Sequence, residues 1–301
     1  MKHKMEHLFI VNPAAGKGRT LELIPEIKAY CEGNNIEYHI EVTKYPGHAT
    51  EISKDFSEAQ SMRIYSVGGD GTLNEVLNGM AGSQSSLAAL PSGSGNDFIR
   101  GIIGENAPKD LVKSAVEGTE RLIDYARFNN KYFINIASVG FDAEVAYQSN
   151  RFKKLPLITG KMAYILGIFS SILACKNHQM EIKVDGRAIS GKSLLVAVGN
   201  GNYYGGGMLA LPEASVDDGF YDICHVDAMS RLKILFLFPK YMKGQHAAIK
   251  GVHFYRGKKV EITVDKPIPM NLDGEIIMER KAVFEIFPKG LRFIVPAGTT
   301  A

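Results

Sequence analysis

The sequence predicts two domains: an N-terminal α/β domain with an open, mainly parallel sheet, and a β-rich C-terminal domain. Three observations predict it. Up to about Arg121, short apolar runs alternate with segments of helical spacing, joined by glycine-rich loops. Beyond that point strand candidates dominate and helical pattern is sparse. At 301 residues the chain is long enough for two domains, each with its own core.

The elements follow in order. His7 to Val11 is an apolar strand, and Leu21, Ile24, Ile27 and Ala29 mark an amphipathic helix after the loop Asn12 to Gly18. Ile36 to Thr43 alternates as a strand, His48 to Ala59 reads as a helix, and Arg63 to Val67 is a buried strand. Leu73, Val76, Leu77 and Met80 then recur at helical spacing, Leu87 to Leu90 is a strand, and Lys109 to Val116 a helix. In the second half the strand candidates are 121–128, 131–137, 180–184, 193–198, 220–226, 259–264 and 281–287, with helices around 161–175 and 231–242. Asp185-Gly186 between two strand candidates is a hairpin turn.

Hydrophobic residues at 45% and charged residues at 22% describe an ordinary globular chain rather than a disordered one. A net charge of +3, with no basic run interleaved with aromatics, argues against a nucleic-acid partner. Cys31, Cys175 and Cys224 are far apart and odd in number, which fits a reducing, cytoplasmic compartment better than a disulfide framework. No secretory signal is expected. The longest apolar stretch, Met162 to Cys175, is too short to span a bilayer comfortably, so a buried helix is the default. A second reading places this helix, or Leu232 to Lys240, against a membrane surface.

Gly68-Gly69-Asp70-Gly71-Thr72-Leu73-Asn74-Glu75-Val76 is the most informative segment. Glycines on a strand-to-helix turn let backbone N–H groups approach an anion, and the helix dipole favours negative charge there. Asp70 would repel bare phosphate, so it suggests a carboxylate that holds Mg²⁺ against a nucleotide. Asn12 to Gly18 and Pro91 to Asp97 also follow strands, so all three loops should converge on one sheet edge. In the last of these, Ser94 and Asn96 offer hydroxyl and amide groups and Asp97 a carboxylate that orients metal-bound water; equally, Asn96 or Asp97 caps the helix starting at Phe98. Asn271-Leu272-Asp273-Gly274-Glu275 is either a plain turn or the source of a base for an acceptor hydroxyl. Gly205-Gly206-Gly207 allows an unusual backbone path, and Asp218 with neighbouring carbonyls suits either a hard cation or an ordinary turn.

Asn12-Pro13 with Gly16 and Gly18, Thr43 before Gly47-His48-Ala49, the Gly68–Val76 turn, Pro91 to Phe98, Gly205 to Met208, Asp218-Gly219 and Leu272 to Glu275 occur in that order along nearly the whole chain. Together they resemble the diacylglycerol kinase catalytic-domain family, in particular its soluble bacterial members. The resemblance implies a NAD kinase/diacylglycerol kinase-like nucleotide-binding domain over 1–125, to which 290–301 return, and a β-sandwich-like lipid-substrate domain over 126–289. It implies Mg²⁺-dependent transfer of the γ-phosphoryl of ATP to the hydroxyl of diacylglycerol, giving phosphatidate, in a cleft between the domains. ATP would be bound by Asn12, Pro13, Ala14, Ala15, Gly16, Thr43, Gly68, Gly69, Asp70, Gly71, Thr72, Leu73, Asn74 and Ser94, the last standing where the family usually has Thr but keeping the hydroxyl. Asp70, Asp97 and Asp124 would form an acidic network around the catalytic Mg²⁺, and either Asp273 or Glu275 would accept the proton. A second, structural Mg²⁺ would take the Asp218 side chain and the carbonyls of Ser215 and Phe220. The partner is then a lipid substrate met at the membrane surface by a peripheral protein without a transmembrane segment; homodimer formation is left open. The alternatives are a kinase of another lipid alcohol, such as a sphingoid base or another glycerolipid, and more remotely a NAD kinase-like enzyme. A regulator without catalysis is disfavoured by the intact Asp70, Asp97, Asp124 and Asp273 set.

Overall fold

The structure is a computed structural model and describes residues 5–93, 95–104, 108–152, 160–174 and 176–299. The chain divides into two compact units, Met1–Tyr125 with Pro288–Ala301, and Ala126–Phe287.

The first unit contains β1 (His7–Val11), α1 (Arg19–Gly33), β2 (Tyr38–Val42), α2 (His48–Ala59), β3 (Arg63–Gly68), α3 (Asp70–Met80), β4 (Ser86–Pro91), α4 (Asp97–Ile103), α5 (Leu111–Val116) and most of β5 (Thr119–Phe128). β1 pairs parallel with β2 and β3, and β3 with β4. Every residue of β1 is buried, as continuous apolar strands covered on both faces require. α3 buries Leu73, Val76, Leu77 and Met80, the spacing that marks one helical face.

The second unit contains β6 (Lys131–Phe133), β7 (Ile136–Gly140), α6 (Phe141–Phe152), α7 (Gly160–Ala174), β8 (His178–Val184), β9 (Arg187–Gly199), β10 (Tyr203–Tyr204), β11 (Met208–Leu209), β12 (Tyr221–Asp227), α8 (Arg231–Met242), β13 (Val252–Gly257), β14 (Lys259–Leu272) and the start of β15 (Glu275–Val295). Its ladders are antiparallel: β13–β12–β9–β7–β14, with β8 between β9 and β14 and a long β14–β15 hairpin. Asp185 and Gly186 both have positive φ, 46° and 83°, as the type I′ turn between β8 and β9 demands. One core gathers Phe133, Tyr221 and Phe284; another lies beneath α6 and α8 around Phe141, Leu195 and Tyr241.

One expectation is qualified and another corrected. β1 to β4 pair parallel, as expected of the first unit, but over the chain the sheet pairing is mixed. β15 is the cause: Glu275 to Glu285 runs antiparallel to β14, whereas Arg292 and Phe293 pair parallel with Ser86 and Leu87 of β4. Second, α7 is not a buried helix, because Met162, Leu166, Phe169 and Leu173 are exposed. No helix among the described residues is long and apolar enough to cross a membrane.

Candidate active site

In the first unit the three glycine-bearing loops meet at the carboxyl ends of β1, β3 and β4. The Asn12 amide donates to Thr72 Oγ1 at 2.9 Å, the Asn12 N–H to the Val67 carbonyl at 3.0 Å, and the Ser92 N–H to the Gly68 carbonyl at 2.8 Å. The approach is too close for side chains. A Cβ on Gly93 would lie 2.5 Å from Gly69 Cα, and one on Gly16 2.1 Å from the Ser92 carbonyl oxygen. Gly16, Lys17 and Gly18 have φ of 59°, 59° and 90°, so the loop after β1 holds three successive left-handed residues, one of them a lysine. Thr43 is buried at the end of β2, its N–H donating to Val11.

Not all of the expected nucleotide residues present a polar group here. Leu73 faces the core and its N–H reaches the Gly69 carbonyl. The Ala14 and Ala15 N–H groups turn back to Asn12 Oδ1 and O at 3.0 and 3.2 Å, while Pro13 carries no donor. Asn74 accepts from the Asn78 amide at 3.0 Å. Glu75 accepts the Ala49 N–H at 3.3 Å and so caps α2, which ties the Gly47-His48-Ala49 segment to the glycine turn. Ser94 lies outside the described residues.

Asp70 opens α3, and its Oδ1 accepts the Phe98 N–H at 3.2 Å. It therefore caps α4 from another loop, a role the sequence offered to Asn96 or Asp97. Asn96 instead closes its own turn, accepting from the Gly93 N–H and donating to the Gly93 carbonyl, both at 3.0 Å, with φ of 53°. Asp70 Oδ2 and Asp97 Oδ2 both face Gly95: a Cβ there would lie 2.9 and 3.4 Å from them. Asp124 is fully buried on β5 and accepts the Lys289 N–H at 2.6 Å. No cluster of three or more His, Cys, Asp or Glu side chains among the described residues is arranged to hold a metal ion. Two carboxylates facing one glycine do match the donor set of Mg²⁺, which takes one or two carboxylates and fills its octahedron with water and substrate phosphate.

In the second unit, Asp273 and Gly274 form the two-residue turn between β14 and β15, with φ of 46° and 95°. The turn has a further role. Asp273 Oδ2 accepts the Ile134 N–H at 2.9 Å, and Oδ1 accepts those of Asn135 and Ile136 at 3.2 and 3.0 Å. From the other side Asn200 and Gly201 donate backbone N–H groups to the Asn135 carbonyl at 2.8 and 3.1 Å. Glu275 is 53% exposed in its side chain, and Lys131 Nζ lies 2.6 Å from its Oε1.

Beside this hairpin lies a cavity of about 50 Å³, lined by Val145, Leu195, Met208, Leu237 and Phe238 together with the polar residues Asp142, Tyr204, Tyr241 and Asn271. Tyr204 donates to Asp142 Oδ2 at 2.5 Å and meets the Tyr241 hydroxyl at 3.2 Å. Burial raises the Asp142 carboxyl above the usual carboxylate range, against hydrogen bonds from Tyr204 and the Ala143 N–H. The sequence reading missed this group. Its signal was a lone carboxylate in the largely apolar run from Ile136 to Ala143. Gly205, Gly206 and Gly207, with φ of 62°, 87° and 107°, carry the backbone between Tyr204 and Met208.

Asp218 is engaged on both oxygens: Oδ1 accepts the Phe220 N–H at 3.0 Å and Oδ2 pairs with Arg256. The Arg256 guanidinium and Lys258 Nζ also stand 5.1 and 5.0 Å from the centre of the Phe220 ring, and Ser215 Oγ donates to Asp217. A divalent cation on the Asp218 carboxylate would have to displace the Arg256 guanidinium. Nearby Asp222 is pushed from 3.8 up to about 6, by burial first, with Arg256 opposing. The folded protein thus binds this proton more tightly than the unfolded chain, a stability contribution present below pH 3.8 and lost as pH rises through about 6. Asp222→Asn should therefore flatten the fall in melting temperature across that window relative to the wild type; an unchanged slope rejects the assignment.

The comparisons with known proteins cover both units. Residues 6–128 match the diacylglycerol kinase catalytic domain and residues 135–295 the YegS C-terminal NAD kinase beta sandwich-like domain. The diacylglycerol kinase of Staphylococcus carnosus (strain TM300) is 30% identical over 271 residues, covering 88% of this chain and 87% of that protein. The diacylglycerol kinase of Bacillus subtilis (strain 168) is 29% identical over 272 residues, with 88% of each chain covered. Among solved structures, one from Bacillus anthracis str. Sterne superposes with a TM-score of 0.78 at 25% identity over 100% of this chain and 98% of that one. With both domains matched in order and a relative at 30% identity over most of its length, the chain belongs to the diacylglycerol kinase family and is a lipid kinase.

Proposed function

We propose that the chain transfers the γ-phosphoryl group of ATP to the free hydroxyl of diacylglycerol, giving phosphatidate and ADP, with Mg²⁺ held by Asp70 and Asp97. The observation that carries this reading is the cavity in the second unit, whose polar lining residues include Asn271, just before the Asp-Gly-Glu turn. An apolar cavity with a few convergent polar groups is suited to the glycerol end of a lipid. Its neighbour on the hairpin supplies the base.

The two carboxylates of that turn differ in what surrounds them. Asp273 accepts three backbone N–H groups, so it acts as a clasp on 134–136. Glu275 accepts only the Lys131 ammonium and meets solvent, which makes it the better acceptor for the hydroxyl proton. Asn271 Oδ1 accepts the Gly274 N–H at 2.9 Å and keeps the turn in shape. In the first unit the Gly68–Gly71 turn and the left-handed Gly16–Gly18 loop cradle the triphosphate with backbone donors. When bound, Mg²⁺ neutralises charge developing on the phosphoryl oxygens. The new bond joins the lipid oxygen to γ-phosphorus, the β–γ bridging bond breaks with its electron pair on ADP, and the proton passes to Glu275.

Radiolabelled ATP offered with dispersed diacylglycerol, monoacylglycerol, a sphingoid base and NAD tests the acceptor. Labelled phosphatidate should dominate; preferential labelling of the sphingoid base or of NAD would overturn the assignment.

A further inference from the structure

The net charge of +3 conceals a strong segregation. Between Glu144 and Glu181, and again between Asp227 and Glu261, the chain carries thirteen of its 35 Lys and Arg residues and none of its 32 Asp and Glu residues. α7 lies in the first of these segments and α8 in the second, and the two helices pack together within the second unit. Both expose large apolar side chains beside these charges. On α8, Leu232 is 70% and Phe236 78% exposed; on α7, Phe169 is 57% and Leu173 68% exposed, extending a stripe at i, i+4, i+7 and i+11 that begins at Met162. Arg231, Lys233, Lys240 and Lys243 flank the α8 face and are exposed.

A water-facing helix pays a penalty for such residues, and contiguous exposed apolar surface marks an interaction site. The opposite side of α8 is also apolar, with Ile234, Leu237 and Tyr241 buried, and this side lines the lipid cavity. One helix thus carries the cavity wall on one face and an exposed apolar, basic surface on the other.

We propose that the α7–α8 face docks on the surface of a bilayer containing anionic lipid, so that α8 lies at the interface with the cavity directly behind it. The proposal rests on the lipid-acceptor reading and adds to it where the acceptor enters: a lipid passes from the bilayer to Asn271 and Asp142 past α8 rather than through water. Charge selects this occupant. Apolar side chains enter the boundary between headgroups and acyl chains while Lys and Arg bind anionic headgroups. A second copy seated on the same patch about a twofold axis would set this positive surface against itself.

The chain contains no tryptophan, so Phe236→Trp introduces a lone fluorescent reporter in the centre of the face. With phosphatidylcholine vesicles containing phosphatidylglycerol its emission should shift to the blue, and high salt or pure phosphatidylcholine should reduce the shift several-fold. Tyr45→Trp, exposed in the first unit, is the control and should not shift. Absence of a shift at Phe236→Trp, an equal shift at Tyr45→Trp, or a shift that follows protein concentration without vesicles overturns the proposal, the last by pointing to a second copy. The double variant Leu232→Glu, Phe236→Glu should raise KM for vesicle-borne diacylglycerol at least tenfold and leave turnover of dissolved short-chain diacylglycerol unchanged. Equal loss on both substrates rejects docking. Failure of the wild type on both refutes the acceptor assignment instead, while the fluorescence result, which needs no catalysis, still decides the docking face.

Discussion

Asp70→Asn should lower kcat on the order of 10³-fold while melting within a degree or two of the wild type. At about 1.4 kcal/mol per tenfold this is some 4 kcal/mol of transition-state stabilisation, the scale expected when a metal-held charge is lost from a phosphoryl-transfer site. Asparagine separates the cap that the structure shows from the metal-holding role proposed above for this side chain. Its amide oxygen can still accept the Phe98 N–H and cap α4, but it has no charge to share with Asp97 opposite Gly95. Asp70→Ala removes the cap as well and should cost about 1 kcal/mol of stability in addition. ATP binding without Mg²⁺ should be little altered in Asp70→Asn, since the proposed triphosphate cradle is built of backbone donors. If the variant turns over at a rate near the wild type, Asp70 holds no catalytic metal.

The second large effect lies at the β14–β15 turn and has opposite signatures for its two carboxylates. Glu275→Gln is nearly isosteric at an exposed position, so its stability should stay within about 0.5 kcal/mol of the wild type. Its kcat should fall about 10²- to 10⁴-fold, the contribution of a positioned base. Asp273→Asn keeps a residue that tolerates the left-handed φ of 46° but loses the charge and one of the oxygens that receive three N–H groups. It should destabilise the second unit by about 1.5–3 kcal/mol, read by thermal unfolding, with a smaller loss of kcat that follows the loosened 134–136 segment. Wild-type turnover in Glu275→Gln together with abolished turnover and unchanged melting in Asp273→Asn would exchange the two roles.

Much of the fold was legible from local pattern. β1 and α2 have the bounds that the sequence implies, because a fully apolar run and a periodic amphipathic one each have a single good burial. The Asp185-Gly186 hairpin was legible for the same local reason: few residues other than Asp and Gly tolerate two positive φ angles in succession. α6 was not anticipated. Its first turn contains Asp142, and a carboxylate among apolar residues breaks the hydrophobic signal although Tyr204, 62 positions away, satisfies it. The burial expected of α7 failed because apolar composition alone does not distinguish a core helix from one whose apolar stripe faces outward.

Residue pattern was enough to show that glycine-rich loops follow the strands of an α/β half, that a β-rich half comes after it, and that the motifs fall in the order of the lipid kinases. Those properties depend on neighbouring residues and on spacing, which the chain carries in full. Tertiary structure alone decided that Asp273 is held by backbone donors while Glu275 stays half exposed beside Lys131. Asp273 and Glu275 are two residues apart and alike in sequence, but the Ile134 N–H that holds Asp273 comes from 139 positions away. A carboxylate's chemistry is set by the donors around it, and only folding brings those donors to it.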